Sequence, residues 1–176
     1  DDDPEERLRL IDAYCAQFEP RSVDSAVALQ PAFDSPRHTV MPFAAAPGQA
    51  ERGFFTLNWL LPEVADTDLV LTLDVLEHVL IGLPSSPLRK ALLDSNLGED
   101  LAGGGLEGEL RQMTFSVGLK GIRPEDVQAA EDLVFTTLND LARDGLPADA
   151  VEAGVNALEF ALRENNTGSF PRGLSL

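Results

Sequence analysis

The stretch LTLDVLEHVLIG, residues 71–82, concentrates more potential chemistry than any other part of this chain, and its centre reads D-V-L-E-H. One substitution separates it from H-x-x-E-H, a helical pattern in which two imidazoles hold zinc and the glutamate between them acts as base. On a helix, positions 74, 77 and 78 share one face, so Asp74, Glu77 and His78 are expected to lie together. A carboxylate stands where the first imidazole belongs. Aspartate can bind zinc, and Glu152 or Glu159 offers a third ligand, so a weak metal site is one reading. A working hydrolytic centre is another, but the shorter carboxylate displaces the metal from the geometry that activates water. The third reading is an Asp74–His78 pair, i to i+4, with Glu77 at the helix surface. That third reading is the expectation: no catalytic residue, no metal ligand and no cofactor within this chain.

Other candidates are weaker. Cys15 is the only cysteine and lies in a helical pattern beside Leu10, Ile11 and Phe18, so a small buried hydrophobe is expected. As a nucleophile it would need His38 or His78 as base. The run at 101–108 holds three consecutive glycines but no G-K-[ST], and Glu107 and Glu109 would repel a phosphate. It is expected to be a flexible loop.

The elements that would position these residues follow from punctuation and periodicity. Asp3, Pro4, Glu5 and Glu6 read as a helix start, with Leu8, Ile11, Cys15 and Phe18 as its stripe. Residues 20–36 are proline-marked and irregular, as a linker would be. Residues 37–43 could form a strand, and AAAPGQAERG a turn or exposed loop. In GFFTLNWLLP, Phe55, Leu57 and Trp59 alternate with Thr56 and Asn58, which predicts a strand stopped by Pro62. Asp66 or Thr67 caps the helix that carries the motif and ends at Gly82; its many apolar sides predict deep packing. A turn at 84–87, a short helix LRKALLD, a strand RQMTFSVGLKG and two further helices starting at Pro124 and Pro147 complete the order. Together they imply an α+β layer, a sheet covered by helices.

Composition sets the outer limits. The 176 residues suit one domain, or one domain with a piece of another. Thirty acidic residues face 13 basic ones, for a formal net charge of -17, and Lys90 and Lys120 are the only lysines. No basic patch exists to neutralise phosphates, so nucleic-acid binding is disfavoured. The acidity fits a well-solvated surface, or a host with high internal salt. No run of about 18 apolar residues is evident, so no membrane span is expected. The acidic start, DDDPEERLRL, is unlike a signal or transit peptide.

The segment LLPEVADTDLVLTLDVLEHVLIGLPSSPLRKALLDSNLGEDLAGGGLEGELRQMTFSVGLKGI resembles the second domain of M16 (pitrilysin-type) zinc metallopeptidases of the presequence-protease kind, and so does the tail VEAGVNALEFALRENNTGSFPRGLSL. G-L-P-S-S-P-L-R-K-A-L, F-S-V-G-L-K-G and R-E-N-N-T-G-S-F-P-R-G-L-S-L are the most specific parts. The resemblance implies a LuxS/MPP-like metallohydrolase-type domain, in a parent whose four homologous domains close around a chamber. It implies that the first domain carries the intact zinc helix and that D-V-L-E-H is its counterpart in the non-catalytic copy. Residues 1–19 would then be the closing helix of the preceding catalytic domain, 20–36 a linker, and 37–176 a truncated second domain. Zinc would reside in the parent and not in this fragment. The parent would degrade unstructured peptides by glutamate-activated, zinc-bound water. The partners would be those peptides and the remaining domains, with no nucleic acid and no membrane. The alternative is a non-enzymatic peptide-binding or assembly module of the same fold. Bacterial cytoplasm is favoured by the low lysine content, with a mitochondrial or plastid matrix as the other option.

Overall fold

The structure is a computed structural model that describes residues 3–44, 48 and 52–164. Its centre is an antiparallel three-stranded sheet of order β1-β3-β2, formed by β1 (Gly53–Glu63), β2 (Asp100–Glu107) and β3 (Gln112–Ile122). Alternation makes β1 a strand: Phe55, Leu57 and Trp59 turn inward while Phe54, Thr56 and Asn58 stay exposed. Their register partners are Leu119, Val117 and Phe115, so the apolar faces of β1 and β3 coincide.

Helices cover that apolar face. They are α2 (Thr67–Glu77), α3 (Pro87–Asp94), α4 (Val127–Asp144) and α5 (Ala148–Glu164), with α1 (Pro4–Cys15) preceding the sheet. Leu88 and Leu92 of α3, Ala130 and Val134 of α4, and Val117, Leu119 and Ile122 of β3 form the core, with Leu80 beside them. Each fully buried leucine contributes about 1.5–3 kcal/mol relative to an exposed one. Trp59 closes one side, with ring centroids 5.8 Å from Phe115 and 6.2 Å from Phe135. The α+β expectation, a sheet covered by helices, holds.

Several local expectations fail for identifiable reasons. The glycine run at 101–108 is not a loop but most of strand β2. Gly103 and Gly105 have φ of +93° and +70°, and the register shifts between Ala102 and Gly105. A Cβ on Gly103 would lie 2.7 Å from the Ser116 carbonyl, so glycine lets the bulged strand press onto β3. Residues 37–43 form no strand, and among the described residues no strand pairs with them. Pro62 does not stop β1 but sits within it, at the register shift between Leu60 and Glu63. β1 is an edge strand, where a missing N–H is tolerated. Cys15 is exposed rather than buried, and α1 buries no residue.

The 20–36 segment is irregular and exposed. It still touches the sheet: the Gln30 N–H donates to Gln112 Oε1 at 2.8 Å, and Arg111 donates to the Val27 carbonyl. The expected turn in AAAPGQAERG lies largely outside the described residues, as does the tail beyond residue 164. By length and composition alone, Thr67–Asp94 passes for a membrane span, with mean hydropathy 1.4 over a window of its 28 residues. A turn at 83–86 breaks it, and α3 folds back to place Leu88 and Leu92 in the core.

Candidate functional site

Helix α2 starts where Asp66 caps it, Oδ1 accepting from the Leu69 N–H at 3.1 Å. Beyond Glu77 it widens into a π turn, His78–Gly82. Widening frees the His78 carbonyl from the regular ladder, and the buried Ser86 hydroxyl donates to it at 3.0 Å. The same hydroxyl accepts from the Leu83 N–H at 3.0 Å, so the turn after the helix is tied to the helix end.

Across from this end lies α5. A Cβ on Gly154 would sit 3.4 Å from Val75 Cγ1 and 3.5 Å from His78 Cδ2, so the two helices approach closely there. Next to the crossing is an open cleft of about 420 Å³, lined by Asp74, Glu77, His78, Gly82, Gly154, Ala157, Leu158 and Ala161. The three motif residues are therefore brought together, as the helical spacing requires. The helix is not deeply packed, however: α2 proper buries no residue, and Leu71 and Thr72 are exposed. Only Val79 and Leu80, in the π turn, are buried.

The electrostatics follow from this half-burial. Desolvation holds the Asp74 carboxyl above its ordinary value and is the sole cause of its shift. The expected Asp74–His78 side-chain pair does not form among the described residues; the bond that joins the two is the helical one, the His78 backbone N–H donating to the Asp74 carbonyl. Desolvation also raises Glu77, opposed by the Leu106 backbone N–H; the Asp74 charge adds to the rise and His78 opposes it. Glu77 is thus not at the helix surface but half-buried toward β2.

The opposite wall decides what the cleft can do. Helix α5 presents Gly154, Ala157, Leu158 and Ala161, none of which can bind a metal. Glu152 is exposed, and Glu159 pairs with Arg163 and borders a separate groove with Leu71, Val75 and Leu162. Among the described residues no group of three His, Cys, Asp or Glu is placed to hold a metal ion. A hydrolytic zinc needs three protein ligands and a water. The donor set here does not fit that requirement. His38 and Cys15 are both exposed, outside this cleft.

Residues 1–158 match the family described as the Peptidase M16 inactive domain, and the chain belongs to the M16 peptidase family. It is 46% identical over 181 residues to presequence protease 1, chloroplastic/mitochondrial, of Arabidopsis thaliana, covering 100% of this chain and 17% of that protein. It is 34% identical to the mitochondrial presequence protease of Mus musculus, covering 92% of this chain and 16% of that one. Protein HypA of Clostridium perfringens is 30% identical, with 98% of this chain and 18% of that protein covered. The chain thus spans less than a fifth of the length of these relatives. A solved structure described as a zinc protease from Bordetella pertussis Tohama I matches at TM-score 0.55 and 20% identity, covering 72% of this chain and 68% of that one. That likeness supports the fold alone. The presequence-protease-type resemblance read from the sequence holds.

Proposed function

We propose that this chain is a non-catalytic domain of a zinc metalloendopeptidase that degrades unstructured peptides. In that reading it forms one wall of the peptide chamber and packs against the catalytic domain, and zinc is bound elsewhere in the parent. The observation that carries the reading is the cleft between α2 and α5. Its geometry brings a zinc-type helix against a second helix, and that second helix offers only Gly154, Ala157, Leu158 and Ala161. The proposal assigns this chain no catalytic residue and no metal ligand. The domain division at 1–19, 20–36 and 37–176 is part of the proposal. It is supported by the absence of buried residues in α1 and the exposed path of 20–36. The family match itself runs through all three segments up to residue 158.

Incubating the chain with zinc and a quenched fluorescent peptide tests this. The expected result is no turnover; turnover abolished by a chelator overturns the proposal. A second reading, a non-enzymatic peptide-binding or assembly module, draws on the 11-residue edge strand β1, which has a neighbour on one side only. An extended peptide can add to such an edge by backbone pairing. An intact H-x-x-E-H about one domain upstream of Asp1 in the parent separates the two readings in favour of the protease. For location, the names of the relatives support a mitochondrial or plastid matrix. The low lysine content leans to the bacterial cytoplasm.

A further inference from the structure

Glu77 occupies the place that the base holds in an H-x-x-E-H helix, yet its carboxylate is engaged with the sheet. Its Oε1 lies 1.9 Å from the point that a Cβ on Gly105 would occupy, and Ile81 Cδ1 lies 3.3 Å from that same point. Gly105 holds φ of +70°, a backbone state that side chains rarely adopt. The gap exists because no side chain fills it. The backbone N–H of the next residue, Leu106, faces the same carboxylate. Strand β2 is an outer strand of the sheet, so beyond its pairing with β3 it rests on the contacts that α2 and α3 make with it.

We infer that Glu77 is a positioning residue that latches α2 to β2, its acceptor oxygen seated in the side-chain gap at Gly105. A catalytic glutamate must be free to meet water and substrate. Here one carboxylate oxygen, Oε1, is pressed against the backbone at Gly105. The same contact gives a reason for glycine at 105: a side chain there would expel the carboxylate and release the helix.

Residue-resolved hydrogen exchange on the chain tests the latch, with far-UV circular dichroism to check the fold. Glu77→Ala should speed exchange of the 104–107 amides by about tenfold or more, leaving the 114–119 amides of β3 unchanged. Glu77→Asp keeps the charge but shortens the reach, and should lose protection in the same place. Glu77→Gln keeps reach and acceptor, and should stay within about threefold of the parent chain. If Glu77→Ala fails to fold, the Asp and Gln variants carry the test. Parent-like protection in Glu77→Asp, or loss in Glu77→Gln, overturns the inference.

Discussion

Helices α4 and α5 are near twins in length, with 18 and 17 residues, and both carry an apolar stripe along one side. Their fates differ. α4 sets Ala130 and Val134 into the core against α3 and β3. α5 buries only Gly154, and leaves Val155, Phe160 and Leu162 exposed. An apolar stripe is a property of the helix alone, whereas burial depends on what stands opposite. Opposite α4 stand both α3 and the sheet; opposite α5 stand α2 and the π turn that ends it.

The sharpest way to break this contrast is to truncate a leucine on each side of it. Leu92→Ala, in the core facing α4, should cost about 2–5 kcal/mol in urea unfolding. Leu162→Ala should fall within about 0.5 kcal/mol of the parent chain. Equal losses would mean that α5 is as well packed as α4. The same Leu162→Ala change made in a longer parent protein sharpens the comparison, since a larger cost there reports a domain that covers α5.

A smaller effect is expected at the helix crossing. A Cβ on Gly154 would meet its neighbours at 3.4–3.5 Å, ordinary contact distance. Gly154→Ala should therefore gain helix propensity without a clash and stabilise the chain by about 0.5–1 kcal/mol, read from the denaturation midpoint. Destabilisation would show that α5 sits more tightly on α2 than these distances allow.

The smallest effect is on pH. Burial raises the carboxyls of Asp74 and Glu77 above their ordinary values of 3.8 and 4.5. The folded state then binds protons more tightly than the unfolded one. Stability from these two groups is complete below the ordinary values and is lost as pH rises through the raised ones. Melting temperatures taken from neutral pH down to about 5 should rise more in the parent chain than in an Asp74→Asn, Glu77→Gln variant. Asp100 and Asp144 are held below their ordinary value of 3.8 by hydrogen bonds, so they change charge outside that window. Parallel pH profiles for the two chains would remove the assigned cause.

What the sequence disclosed, and what it hid, divides along the same line. The alternation in 55–59 and 113–117 identified β1 and β3, and Asp66, Pro87, Pro124 and Gly145 marked helix limits within a residue or two. These signals are local. Strand β2 was illegible, because three glycines carry no alternation and become a strand only by pairing with β3. Residues 37–43 have strand-like apolar spacing but no partner strand among the described residues. At the site, helical periodicity was enough to unite Asp74, Glu77 and His78. It could not reveal that Glu77 reaches Gly105, or that α5 would present Gly154 where a ligand was sought at Glu152 or Glu159. The glycine at 105 was the one available clue, and its value depended on knowing that Glu77 lay above it.

The strand order has a consequence for how the molecule comes into being. The central strand is the last of the three along the chain, so among the described residues 53–63 and 100–107 have no pairing partner until residues 112–122 are made. A polypeptide halted before Gln112 lacks the strand that joins β1 to β2, and β1 waits for that pairing through some fifty residues of synthesis.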